Sequence, residues 1–159
     1  MGCGANGCTF EAPKSERGFK LLRDDAVMPT RATKSSAGYD FSIPKDIGEI
    51  EILPSEIKLI PLGVAAYMKE TEYLDLRIRS SISRKGLIFM NGCGVIDSDY
   101  YPNDIGIIVC NLSGQSIKLS GGTRVAQGIF TEYHTVSNEG PITKDRVGGY
   151  GSTGGTINE

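Results

Sequence analysis

The chain has 159 residues, enough for one domain that buries about 70% of the surface its unfolded form exposes, and too few for a second. Its 17 basic and 19 acidic side chains nearly cancel, which removes any global charge argument for nucleic acid or an anionic membrane. No apolar run approaches the roughly 18 residues of a spanning helix, no signal-peptide pattern opens the chain, and the four scattered cysteines cannot frame a disulfide scaffold, so a reduced, cytoplasmic protein is expected.

In chain order, residues 1–17 are Gly-rich and then polar, the composition of a mobile arm. Gly2, Gly4 and Gly7 spell a dinucleotide-like GxGxxG, but no strand precedes them and no helix follows. Myristoylation at Gly2 would need Ser or Thr where Asn6 stands, and Cys3 and Cys8 lack the paired second half of a zinc site. Short strands separated by turns are expected over residues 18–140. Glu49 to Ile52 and Leu74 to Arg79 alternate polar with apolar, as half-buried strands do. Lys58 to Met68, Ile105 to Leu112 and Arg124 to Phe130 are more continuously apolar, and read as strands buried on both faces or at a subunit contact. Ile43 to Asp46, Pro102 to Asp104 and Ser120 to Gly122 mark turns. The sequon Asn111-Leu112-Ser113 has no meaning without a secretory signal. No sustained helical stripe occurs, which leaves an all-β sandwich or jelly roll with at most a short single helix. Residues 141–159 lose their apolar content and read as a flexible C-terminal tail.

Imidazole chemistry has little to work with, since His134 stands alone among polar neighbours and reads as a solvated surface residue. There is no GxxxxGK[ST] phosphate loop. Three segments remain. In Arg77 to Gly86 a strand ends at Arg79, Ser80 or Ser81 can cap one helical turn, and Gly86 can end it. Backbone N–H groups, two hydroxyls and Arg79 would then meet phosphate oxygens, or the segment is merely a capped turn with solvated charges. In Asn91 to Tyr100, Gly92 and Gly94 let backbone approach a flat ligand, and Asn91 offers a donor and an acceptor to a base edge. Tyr100 adds an aromatic face, and Asp97 and Asp99 are both candidate general bases. Two residues apart on a strand they share a face, so spacing does not choose between them. In Asp145 to Gly155, five glycines with Ser152 and Thr153 make a ribbon of donors. Arg146 and Tyr150 are large side chains that a plain linker does not need.

Taken in order, these segments resemble the trimeric dUTPase family. The motifs that carry the resemblance are Ala37 to Asp40, Arg79-Ser80-Ser81 with Lys85-Gly86, Gly94 to Tyr100, Gly122 to Gln127, and Arg146 to Gly154. Departures are Thr123 where the family often has an acidic residue, Tyr101 to Asp104 after the hairpin, three residues between Arg146 and Tyr150, and Tyr at a usual Phe position. The resemblance implies a jelly-roll (β-clip) domain with a distorted barrel. It implies a homotrimer with shared sites, hydrolysis of dUTP to dUMP and pyrophosphate, and Mg2+ as cofactor. Asp97 would activate the attacking water, and Asn91 with Gly94, Val95 and Ile96 would read uracil. Tyr100 would pack under the deoxyribose, and Arg79, Ser80, Ser81 and Gln127 would hold phosphates. Asp40 would reach magnesium through water. Arg146, Tyr150, Gly151, Ser152 and Thr153 would come from a neighbouring subunit, with Arg146 meeting the γ-phosphate.

Two other readings are open to the same residues. The related dCTP deaminases carry a catalytic glutamate in the strand after the hairpin, but Ile105 to Leu112 holds none. A nucleotide-gated regulator would bind dUTP without turnover.

Overall fold

Alternation of apolar and polar residues, broken by Gly, Pro and Asp turns, yields strands and almost nothing else. The computed structural model describes residues 16–150. Over these residues run eleven strands: β1 (Gly18–Leu21), β2 (Tyr39–Ser42), β3 (Glu49–Ile52), β4 (Ile57–Pro61), β5 (Val64–Tyr67), β6 (Glu72–Ile78), β7 (Leu87–Phe89), β8 (Gly94–Asp97), β9 (Gly106–Asn111), β10 (Ile117–Ser120) and β11 (Arg124–Glu132). One helical turn, α1 (Ser80–Ser83), follows β6. No described helix is long and apolar enough to cross a membrane.

Every pairing among these strands is antiparallel. Four strands lie in the order β2-β11-β6-β8 and three in the order β4-β9-β7, with the pairs β1-β5 and β10-β3 alongside. The core forms where inward phases meet: Phe41 of β2, Leu74 and Leu76 of β6 and Ala126 of β11 join Ile60 of β4, Leu87 and Phe89 of β7, and Ile107 and Val109 of β9. Phe19 sets its ring edge-on to both Tyr39 and Phe41 at centroid distances of 5.3 Å. Close fit is tight at Gly128, where an added methyl would stand 2.8 Å from the Phe41 ring.

Four expectations are corrected. Lys58 to Met68 is two strands, because Gly63 takes a left-handed φ of 69° and turns the chain between β4 and β5. β4 is also not buried on both faces: Ile57 and Leu59 are exposed, while Ile60 is 1% exposed. At α1, Arg79 rather than a serine takes the cap position, and no side chain caps the turn. Nor does Gly86 end the helix, which stops at Ser83 with Arg84 as its cap; at φ 96° Gly86 closes the turn that follows, its N–H bonded to the Ser83 carbonyl at 2.9 Å.

Beyond Glu132 the described chain has no further strand or helix. The segment nevertheless returns to the domain, and its last described residues meet the loop after β8.

Candidate active site

β8 is held to β6 in register, with Gly94 opposite Leu76 and Asp97 opposite Tyr73. Gly94 is needed for that approach, since an added Cβ would stand 3.3 Å from that of Leu76. After Asp97 the chain makes a short 3-10 turn over Ser98–Tyr100. It passes a cis Tyr101–Pro102 bond and re-enters the sheet as β9. Tyr100 is anchored at its far end, its hydroxyl donating to the Asp104 carbonyl at 3.0 Å. Asp104 is fixed in turn by accepting from the Val64 N–H at 3.0 Å, and burial pushes its carboxyl above the usual carboxylate range.

Between β8, β9 and the loop lies a cavity of about 310 Å3. Asn91, Gly94, Val95, Ile96, Asp97 and Tyr100 line it, together with Arg146 and Tyr150 from the tail. β7 pairs only with Val109, Cys110 and Asn111, so the Gly106 end of β9 borders this space. Its apolar walls, exposed backbone and single carboxylate suit a flat ring attached to a reactive group.

Arg146 joins the two aspartates of this loop. Its Nη2 donates to Oδ2 of Asp97 and its Nε to Oδ1 of Asp99 at 2.6 Å. The guanidinium carbon also lies 5.9 Å from the centre of the Tyr100 ring. Asp99, then Asp97, raise the Arg146 pKa against the opposing effect of burial. The Tyr150 hydroxyl accepts the Gly106 N–H at 2.7 Å, and its ring meets Tyr100 edge-on at 6.5 Å. Burial pushes the Tyr150 phenol well above its usual range.

A second cavity, about 300 Å3, gathers Asp40, Arg79, Ser80 and Gln127. Asp40 of β2 stands opposite Gln127 of β11. Its side chain is 10% exposed and takes two cations, Arg79 Nε at 3.1 Å and Arg124 Nη1 at 3.0 Å. The Arg79 N–H bonds the Val125 carbonyl at 3.0 Å, which fixes the end of β6 against β11.

The expected site residues therefore fall into two groups, with Ser81 lining neither cavity. Gly151, Ser152 and Thr153 lie outside the described residues. Spacing alone missed the pairing of Arg146 with both aspartates and the Gly106 donor, contacts that span 44 to 49 residues. His134 is exposed, as expected. Cys3 and Cys8, weighed and set aside as a zinc site in the sequence, also lie outside the described residues, and no group of three metal-ligating side chains occurs among those described.

An antiparallel β domain with a ring-sized cavity ending at a carboxylate, and a separate arginine-lined recess, has the make-up of a nucleotide-handling enzyme. The chain belongs to the dUTPase family, whose model matches residues 24–154. It is 40% identical over 149 residues to the deoxyuridine 5'-triphosphate nucleotidohydrolase of Lactococcus lactis, covering 87% of this chain and 97% of that one. The mitochondrial enzyme of that name from Dictyostelium discoideum is 34% identical over 150 residues, covering 90% of this chain and 80% of its own. The fold is similar to that of Streptococcus mutans dUTPase, with a TM-score of 0.69 and 38% identity over 76% of this chain and 99% of that one.

Proposed function

We propose that this chain is a dUTP diphosphatase that converts dUTP to dUMP and pyrophosphate in the cytoplasm. The observation that carries the reading is the first cavity, where backbone and Asn91 border a ring-sized space that ends at the Asp97 carboxylate. The relatives named for this activity support it.

In the proposed mechanism, the hairpin backbone at Gly94, Val95 and Ile96, with Asn91, reads the edges of uracil. Tyr100, immobilised through Asp104, packs under the deoxyribose and leaves no space for a 2′-hydroxyl. Asp97 accepts a proton from water as the water oxygen bonds to the α-phosphorus, while the bond to the bridging oxygen breaks and pyrophosphate leaves. A positioned base is worth typically ~10²–10⁴ in rate. Arg79, Ser80, Ser81 and Gln127 hold phosphate oxygens.

The donor set fits magnesium only as an ion carried by the triphosphate. Asp40 is already engaged by Arg79 and Arg124, and no three-ligand cluster is present among the described residues. Asp40 would touch such an ion through one of the waters that magnesium keeps. When bound, it neutralises charge building on the phosphate oxygens.

The assembly proposed is a homotrimer in which one subunit's Asp97 cavity faces another's Arg79 recess. The two cavities share no lining residue within one chain, which supports a site split between copies. Ile57, Leu59 and Ile88 also present an exposed apolar face on the β4-β9-β7 sheet, their register placing them on one side. The tail of a neighbour, with Arg146, Tyr150, Gly151, Ser152 and Thr153, would close over the loaded site and bring Arg146 to the γ-phosphate.

The test is pyrophosphate release from dUTP, dTTP, dCTP and UTP with magnesium. Turnover restricted to dUTP, falling at least ~100-fold in Asp97→Asn, is expected. Mixing Asp97→Asn chains with Arg79→Ala chains should restore part of the activity, because some hybrid sites contain both intact halves. Tight dUTP binding without turnover in the parent would instead identify a nucleotide sensor.

A further inference from the structure

We infer that Asp104 is a positioning residue that sets the choice between deoxyribose and ribose, by tying the ring of Tyr100 to the turn between β4 and β5. The inference rests on the reading of the first cavity as the nucleotide site, with Tyr100 under the sugar. Rejecting a ligand that only adds a hydroxyl depends on a wall that does not yield, since a ring free to shift makes room for it. The loop that carries Tyr100 is poorly supported by burial, with Pro102 and Asn103 exposed. Its internal bonds fasten the residue to the loop alone: the Tyr100 carbonyl accepts the Asn103 N–H at 2.9 Å and the Asn103 Nδ2 at 2.7 Å.

Asp104 fastens the loop to the domain. Its main-chain carbonyl takes the Tyr100 hydroxyl at 3.0 Å, while its Oδ1 takes the Val64 N–H at 3.0 Å. The next N–H, of Ile105, returns to the Val64 carbonyl at 2.9 Å, and the Leu62 N–H reaches the Ile105 carbonyl at 3.0 Å. Val64 is 1% exposed, so its N–H needs the acceptor that Asp104 supplies. The far end of this link is firm. Gly63 holds its left-handed φ of 69°, and its carbonyl accepts the Leu22 N–H at 2.8 Å. An added Cβ there would stand 3.0 Å from both the Ala26 Cβ and the Arg23 Cδ. One residue thus joins the phenol to a packed turn, its carbonyl facing the ring and its carboxyl facing β5. The link bypasses β8, which is held by β6 instead, so slack in it reaches the sugar and not the base. The segment Tyr101 to Asp104, a departure from the family pattern, finds its use here.

The test is kcat/KM for dUTP, UTP and dTTP in the full-length parent, Asp104→Ala, Asp104→Asn and Tyr100→Phe. Asp104→Ala should raise UTP cleavage and lower the dUTP-to-UTP preference about fivefold, the scale of one hydrogen bond. Its preference for dUTP over dTTP should stay that of the parent. Asp104→Asn keeps an acceptor for the Val64 N–H and should retain most of the sugar preference. Tyr100→Phe, which removes only the hydroxyl, should lower that preference to a similar degree. Adding Asp104→Ala to it should lower it little further, because both changes break one link. UTP and dUTP cleavage falling together in Asp104→Ala would reduce Asp104 to a structural residue and overturn the inference. Should that variant fail to fold, an unchanged sugar preference in Tyr100→Phe overturns it equally. A parent that cleaves none of the three nucleotides would refute the diphosphatase reading instead. The link itself then shows in NMR of the Tyr100 ring, which should flip faster in Asp104→Ala or Asp104→Asn than in the parent, and equal flip rates would break it.

Discussion

Arg79 and Arg124 reach Asp40 from different strands, one at the end of β6 and one at the start of β11. Thr123 precedes Arg124 where an acidic neighbour is usual in the family, and the partner comes from β2 instead. The order of residues along the chain gave no hint of this, because 84 positions separate Arg124 from Asp40. Asp40→Asn keeps the shape and removes the charge. The two guanidinium groups then repel without an anchor, so a stability loss of about 1.5–3 kcal/mol is expected in urea unfolding, with a raised KM for dUTP. An unchanged urea midpoint would mean that the arginines are held by other groups. Spacing also left Asp97 and Asp99 equivalent. Folding separates them, since Asp97 ends a strand and Asp99 sits in the turn after it, and only the Arg146 contact joins them again.

At the scale of elements, the alternating segments were legible: Glu49 to Ile52 is β3, and Leu74 to Arg79 lies almost wholly in β6. Strands of this kind carry their own period, and burial on one face fixes it. Continuous apolar runs were less legible, because they do not announce a turn inside them. Leu62 and Gly63 sit in such a run, and only the positive φ at Gly63 divides it. The Ser120 to Gly122 turn was visible, but not its contact. Gly121 packs onto the backbone carbonyls of Pro44 and Lys45, and a methyl group there would collide with the Lys45 oxygen. Gly121→Ala should cost about 1–3 kcal/mol, because backbone yields less readily than a side chain. Thermal melting checks it, and a neutral result would show that the β10–β11 turn is free to move off Lys45.

Across the whole molecule, ion pairs tie distant segments and set the response to acid. The Arg17 guanidinium beside Glu72 holds that buried carboxyl below its ordinary value of 4.5, Arg23 does the same for Asp25, and Lys58 for Glu56. Each pair stabilises the fold fully above the ordinary carboxylate range, and that contribution is lost as pH falls through the lowered value. Asp104 works the other way: burial raises it, so its effect on folding is best at low pH and declines as it ionises. Three lowered carboxyls against one raised predict a melting temperature that falls below pH 4.5. Arg17→Ala should flatten that fall, and an equally steep decline in the variant would remove Glu72 from the account. The overall class, all strand with one short helix, followed from composition and period. The division of the site into two cavities did not, because it depends on which strands become neighbours.

β11 occupies an inner place in its sheet, with β2 on one side and β6 on the other, although it comes last in chain order among the described strands. A ribosome that has released everything up to Ser120 has therefore delivered two flanks with no centre between them. Phe41 and Leu74 lack their strand partners, Ala126 and Phe130, until β11 is made. Growth of the chain and growth of the fold are thus out of step. The four-stranded sheet cannot close until the chain through Glu132 is available.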